Sequence, residues 1–148
     1  MNDLTLWILF AGALCTVFCT GFLLGRSDEV TGGELQSREP RAAFVGRWYP
    51  VIQIAWVVVV AVLYYIFSIC LGISDSHRLF SLAAAWFASI GILDGLIALN
   101  THVFPSPHRW GYRYVYDATE RSRAVSVFQL VLAVGVTLVT VSWSLRLW

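Results

Sequence analysis

Residues 51–71 read VIQIAWVVVVAVLYYIFSICL, an apolar run without a charged residue or a turn signal. In a water-soluble protein, the four consecutive valines would indicate a buried β-strand. The length of the run decides against a strand, because about 20 apolar residues in an α-helix cross the hydrocarbon core of a bilayer. Just before it, Trp48 and Tyr49 have the position of an interfacial aromatic belt, and Pro50 that of a first helical turn. We therefore predict a transmembrane helix at 51–71.

Three further apolar runs have the length of a membrane span, and polar segments separate them. The predicted spans lie at 4–24, 51–71, 79–99 and 124–147, with polar loops at 25–50 and 100–123. The link between the second and third spans is so short that these two helices must form an antiparallel hairpin. The sequence therefore predicts an all-α polytopic membrane protein, a four-transmembrane-helix bundle that forms one domain over residues 1–148.

The composition agrees with a membrane protein and argues against other classes. Apolar residues make up 58% of the chain and charged residues 13%, whereas soluble domains carry about 25% charged residues. A net charge of +1 gives no support for nucleic-acid binding. The cysteines lie inside apolar runs, where a thiol usually acts as a small apolar group; they are Cys15, Cys19 and Cys70.

Basic residues are unequally distributed between the two sides of the predicted bundle. Loops 25–50 and 100–123 hold four arginines each, and the opposite side holds only Arg78 and Arg146. Because basic loops stay on the cytoplasmic or matrix side of a membrane, both termini are expected on the outer side. The expected location is a bacterial cytoplasmic membrane or an organellar inner membrane.

Asp94 is the only acidic residue inside the predicted spans. A carboxyl group at membrane depth is costly unless it is paired, hydrated or protonated. One hypothesis is an ion or proton path, or a polar ligand site, in which Asp94 acts with His102 and Gln53. The other is structural: Asp94 accepts hydrogen bonds from a neighbouring helix and sets the packing register. Because the spans hold one acid and no basic partner, the structural hypothesis is favoured; the candidate donors are Gln53, Thr16, Thr20, Thr137 and Thr140.

Small residues recur at spacings of three and four on two of the predicted helices. Such stripes let helix backbones approach closely in a membrane. We predict that these residues pack helix against helix; they are Gly12, Thr16 and Thr20 in the first span, and Gly91, Gly95 and Ala98 in the third.

The loop at 100–123 is rich in arginine and aromatic residues. An arginine can bind a lipid phosphate or a residue of another subunit, so bound lipid is expected here. The alternative is an ordinary interfacial girdle, and the sequence favours neither. The residues concerned are Arg109, Trp110, Arg113, Arg121 and Arg123.

No cofactor or metal site is predicted, although pigment or quinone binding stays open. The three histidines, His77, His102 and His108, lie in loops or at helix ends. Haem ligation between helices needs imidazoles inside the bundle, and a zinc site needs more ligands than these provide. The sequence also contains no phosphate-binding loop, nucleophile elbow or paired-cysteine motif.

In outline, a chain of this length with four predicted helices and both basic loops on one side resembles the membrane-bound glutathione transferase and leukotriene synthase family. That family has a Glu-Arg-x-x-Arg-Ala-x-x-Asn-x-x-Glu pattern entering its second helix, where this chain reads Arg38-Glu39-Pro40-Arg41-Ala42. The Asn and the final Glu of the pattern are missing here. The resemblance is therefore one of topology, which alone does not assign membership.

The leading functional hypothesis is a non-catalytic subunit of a larger membrane complex, with membrane lipids and other integral membrane subunits as partners. It follows from the small-residue stripes, the scarcity of aqueous material and the lack of a catalytic motif. The second hypothesis is a homo-oligomeric proton or ion conductor that uses Asp94. The third is a small membrane enzyme acting on a lipophilic substrate, with an interfacial cleft lined by Arg47, Arg109 or Arg113.

Overall fold

The computed structural model describes residues 3–24, 29–72, 76–106 and 113–145, most of which are helical. The helices are α1 (Asp3–Leu24), α2 (Gly32–Gln36), α3 (Pro40–Cys70), α4 (Ser76–Thr101) and α5 (Glu120–Ser144). The strands are β1 (Glu29–Thr31), β2 (Val103–Pro105) and β3 (Arg113–Tyr116).

Three helices in the described part of the chain, α3, α4 and α5, are long and apolar enough to cross a membrane. Helix α4 is central, with α1 and α5 packed against it and against each other. Helix α3 is peripheral: none of its most apolar 18-residue window is buried, against 39% in α4 and 28% in α5. The bundle therefore has three tightly packed helices and a fourth long helix at its edge.

Helix α3 begins well before the predicted span 51–71 and takes up the end of the predicted loop 25–50. Pro40 stands in its first turn, where the missing N–H is tolerated. Pro50, which was predicted in a first turn, lies inside the helix. The early start follows from the spacing of Ala42, Val45 and Tyr49, which are all buried on one helix face.

A small antiparallel sheet corrects the all-α prediction and occupies parts of both predicted loops. Strand β3 is central, with Val30 of β1 opposite Tyr114 and Phe104 of β2 opposite Val115. Two or three short strands are marginal alone, and here the sheet is supported by apolar packing. Its core also includes Leu35 and residues of α3. We call β1, β2, β3 and α2 together the sheet cap.

A capping box starts the short helix of the sheet cap. The Glu34 carboxylate accepts a 2.6 Å hydrogen bond from the Thr31 backbone N–H, and the Thr31 hydroxyl oxygen accepts from the Glu34 backbone N–H at 3.4 Å. These contacts satisfy donors that a helix N-terminus otherwise leaves unpaired. Hydrogen bonds from the backbone and the hydroxyl of Thr31 lower the pKa of Glu34 below its ordinary value of 4.5.

The capping box predicts a pH effect on the sheet cap. Because the pKa of Glu34 is lowered in the folded protein, the ionised Glu34 side chain stabilises the sheet cap above pH 4.5. This stabilisation is lost as the pH falls through the folded pKa. Thr31→Val removes the hydroxyl donor and keeps the side-chain shape, so the pKa of Glu34 should rise toward 4.5. A carboxyl-carbon NMR titration in micelles measures both values. Equal pKa values in the two proteins would contradict this role of the Thr31 hydroxyl.

Candidate functional site

The Asp94 carboxyl group is buried at the contact between α3 and α4. Asp94 lies about two turns, or about 10 Å, before the end of α4 at Thr101. Its side chain has no exposed surface, and its Oδ1 accepts a 2.7 Å hydrogen bond from the Tyr49 hydroxyl. This bond joins the peripheral helix α3 to the central helix.

Tyr49 is a donor that the sequence analysis missed. The candidate donors did not include it, because its position next to Trp48 indicated an interfacial belt. In the structure Tyr49 is only 2% exposed. Its ring also packs edge-on against Tyr114 of the sheet cap, with the centroids 5.6 Å apart and the planes at 89°. The signal for this position was its helical spacing from Ala42 and Val45, which continues the buried face of α3.

Two further hydrogen bonds join α3 to α4 on the same stripe of α3. The Trp56 indole N–H donates to the Ser89 hydroxyl at 3.1 Å. The Tyr64 hydroxyl donates to the Leu79 carbonyl at 3.4 Å. Together with Tyr49, these donors are seven and eight residues apart along α3, which keeps them on one helix face. Helix α3 is therefore attached through one polar stripe.

A second polar contact lies beside Asp94, between α1 and α5. The Gln129 side-chain N–H donates to the Thr16 backbone carbonyl at 2.8 Å, and both side chains are fully buried. Within the described residues, Gln129 Oε1 is buried without a hydrogen-bond partner. Gln129 was not predicted as a site residue, although it interrupts a long apolar run in the same way that Asp94 does.

Two glycines place Asp94 at the level of that contact. A Cβ on Gly91 would lie 2.6 Å from Thr16 Oγ1 and 2.9 Å from the Thr16 backbone oxygen, and a Cβ on Gly95 would lie 2.8 Å from Leu130 Cγ. Asp94 stands between these two glycines in α4. Each long helix thus contributes one buried polar residue to a polar layer, which consists of Thr16, Tyr49, Asp94 and Gln129.

The other predicted packing residues have different surroundings. Gly12 faces Val136 at ordinary van der Waals distance, 3.5 Å from the position of a Cβ. Ala98 is buried in an apolar cluster with Phe104 and Val125. The side chain of Thr20 lies outside the part of the chain that the structure describes.

His102 and Gln53, the other members of the proposed ion path, are only partly buried, unlike Asp94. His102 follows the end of α4 with a left-handed backbone (φ 58°) and turns the chain into β2. It lines a surface pocket together with Glu39 and Arg41. Gln53 is half-buried on α3, one turn beyond Tyr49. A path would have to connect these partly buried positions to the fully buried Asp94.

The residues predicted to contact lipid or a partner differ in their surroundings. Arg113 lies in β3 and pairs with Glu29, with Nη1 and Oε2 3.7 Å apart. Arg121 and Arg123 are exposed in the first turn of α5. Arg109 and Trp110 lie outside the described residues. Within residues 3–24, 29–72, 76–106 and 113–145, no group of three or more His, Cys, Asp or Glu side chains could hold a metal ion.

The long apolar helices are consistent with an integral membrane protein. The small sheet and the buried polar layer distinguish this fold from a plain helical hairpin. No protein-family model, curated protein or solved structure matches the chain. Its function must therefore be inferred from the chemistry and contacts of its own residues.

Proposed function

We propose that this chain is a non-catalytic integral membrane subunit that binds other membrane helices through α3. The observation that carries the proposal is an unpartnered seam along the outer side of this helix. Its residues follow one another at alternating spacings of four and three, the pattern of a helix that packs lengthwise against another helix. All of them are exposed: Val51, Ala55, Val58, Val62, Tyr65 and Ile69.

The residue types of this α3 seam favour a helix as its partner over lipid alone. Valine and isoleucine have one strongly preferred rotamer in a helix, so they lose little side-chain entropy when a partner packs against them. Ala55 lets another backbone approach closely. The polar stripe of Tyr49, Trp56 and Tyr64 holds α3 on α4, which leaves the seam facing outward.

A four-span topology is part of the proposal, with α1 as the fourth span. Its length of 22 residues corresponds to about 33 Å, close to the thickness of the hydrocarbon core. It packs into the bundle through Phe10, whose ring lies 5.0 Å from Phe80 and 5.7 Å from Phe87. Because α1 packs against α4 and α5, it would have to cross the membrane beside them.

The distribution of charge supports an orientation with both termini outside. In the described part of the chain, Arg78 lies near the start of α4, and the other arginines lie toward the sheet cap. The positive-inside rule places that end on the cytoplasmic or matrix side. The arginines at this end are Arg38, Arg41, Arg47, Arg113, Arg121 and Arg123.

Native mass spectrometry after gentle extraction tests the subunit proposal. The wild-type protein should be recovered with other chains, and Val58→Trp should release it because the larger ring disrupts the α3 seam. Val59→Trp is the matched control, since Val58 and Val59 are both 54% exposed and Val59 lies off the seam. Recovery of the wild type as a lone monomer, or equal loss of partners in both variants, would contradict the proposal.

The conductor hypothesis for Asp94 remains as a second candidate and needs a homo-oligomer. The carboxyl group has no exposed surface in a single chain, so ions would have to reach it through a subunit interface. The enzyme hypothesis expected an interfacial cleft lined by Arg47, Arg109 or Arg113. A cleft is present at that level, but Arg41 lines it, while Arg47 stacks on Trp48 with its guanidinium carbon 5.7 Å from the ring centroid.

A further inference from the structure

A cleft runs between the first turns of α3 and the last turns of α4, and its two compartments differ in chemistry. The outer one, of about 270 Å³, carries the ionisable side chains of the cleft, Glu39, Arg41 and His102. The inner one, of about 260 Å³, is apolar. Asn100 and Thr101 line both, so the two compartments are adjacent.

Arg41 gives the outer compartment a binding group for a phosphate. It is exposed at the start of α3, where the helix dipole adds partial positive charge, and its planar guanidinium suits a phosphate group. Glu39, the acid that also lines this compartment, accepts a hydrogen bond from Tyr116. Partial burial and the charge of Glu39 raise the pKa of Tyr116 above its ordinary value of 10.0.

His102 is held rigidly at the edge of the outer compartment. Its backbone N–H donates to the Ala98 carbonyl at 2.8 Å, and its carbonyl accepts from the Asp117 N–H at 3.0 Å. These bonds maintain a left-handed conformation that is uncommon for histidine. The imidazole therefore lines the cleft from a fixed backbone, opposite the N-terminal turn of α3.

The inner compartment has the composition of a site for a hydrocarbon chain. Phe44 and Ile52 line it from α3, and Leu96 and Ile97 line it from α4. Tyr49, whose hydroxyl donates to Asp94, also lines it. The order along the cleft, with Arg41 and His102 in the outer compartment and an apolar inner one toward the membrane interior, matches the order of groups in a phospholipid.

We propose that this cleft binds one anionic membrane phospholipid, with its phosphodiester at Arg41 and His102 and an acyl chain along Phe44 and Leu96. The site is separate from the α3 seam, so lipid binding does not depend on the proposed subunit role. It also differs from the lipid contacts that the sequence predicted at Arg109, Arg113, Arg121 and Arg123.

Titration with phosphatidylglycerol, followed by native mass spectrometry of the full-length protein in micelles, measures the affinity for the lipid. Arg41→Gln should weaken binding of one lipid about tenfold, because a charge-assisted hydrogen bond is lost. Arg41→Lys should recover part of the affinity, since it restores the charge without the planar fork. Arg47→Gln, which removes an exposed arginine of α3 that does not line the cleft, should leave binding unchanged.

A second pair of variants tests the acyl-chain compartment. Leu96→Trp should fill it and reduce lipid binding about tenfold, since the chain is excluded from its apolar contacts. Val127→Trp on α5 is the matched control, because Val127 is 46% exposed and Leu96 is 48% exposed. This control should bind lipid as the wild type does.

Three results would overturn the proposal. Equal affinity for phosphatidylcholine would contradict selection of an anionic lipid. Binding of inorganic phosphate with the same dependence on Arg41, together with no effect of Leu96→Trp, would indicate a site for free phosphate. Unchanged phosphatidylglycerol binding in both Arg41→Gln and Leu96→Trp would exclude the cleft as the binding site.

Discussion

Gly91→Ala is expected to destabilise the helix bundle by about 2–3 kcal/mol, the upper part of the range typical of overpacking in a well-packed core. A Cβ at this position would lie 2.7 Å from Thr16 Cβ and 2.9 Å from the Thr16 backbone oxygen. Backbone atoms cannot rotate away as a flexible side chain can. Helices α1 and α4 would have to separate, which would also disturb the bond between Gln129 and Thr16.

Two other glycines provide a graded control for Gly91→Ala. A Cβ on Gly95 would meet the Leu130 side chain, which can move, so the loss there should be smaller. A Cβ on Gly135 would meet nothing within 4 Å. Gly135→Ala should therefore be neutral or stabilising by up to about 1 kcal/mol, since alanine is the better helix former. Unfolding in detergent, followed by circular dichroism, gives the free energies. Equal losses at Gly91 and Gly135 would contradict close α1–α4 packing at Gly91.

The length and polarity of the apolar runs were enough to predict the long helices. Composition alone indicates that a run such as 51–71 is too long and too uncharged for a soluble strand. The start of α3 at Pro40 was missed, because Pro50 was interpreted as a helix start. A proline near a helix end and a proline within a helix look alike in sequence, and only the buried face of Ala42, Val45 and Tyr49 distinguishes them here.

The sheet cap was missed because its strands are only three or four residues long. The alternation around Tyr114 and Tyr116 was interpreted as an interfacial girdle, although alternation is also the signature of a strand. The partners of β3 are far apart in the sequence, at Val30 and Phe104. Nothing local in such short segments predicts their pairing, which depends on packing against Leu35 and α3.

The candidate site was foreseen only in part. A lone acid in an apolar run is conspicuous, so Asp94 could be singled out, and the glycines on either side of it suggested close packing. The hydrogen-bond donor could not be chosen from sequence, because the choice depends on the rotation of α3 about its axis. That rotation is set by contacts along the whole stripe from Tyr49 to Tyr64.

Tyr49→Phe is the second substitution with a large expected effect, a loss of about 1–2 kcal/mol of bundle stability. It removes the hydroxyl that donates to Asp94, and the Asp94 side chain has no exposed surface at which water could replace that donor. The ring contact with Tyr114 is retained. Tyr65→Phe is the control, since Tyr65 is on the same helix and 65% exposed; it should change the stability by much less.

A double-mutant cycle with Asp94→Ala and a flux assay with Asp94→Asn then distinguish a structural role of Asp94 from conduction. If Asp94 serves to hold α3, the cost of Tyr49→Phe should be smaller by about 0.5–1 kcal/mol in the Asp94→Ala background, because alanine, unlike asparagine, removes the acceptor of the hydrogen bond. The ion flux of reconstituted protein should then be the same in the wild type and in Asp94→Asn. Additive losses combined with abolished flux would reverse the conclusion. In that case the carboxyl group itself would be required for transport, and its burial would have to be relieved in an oligomer.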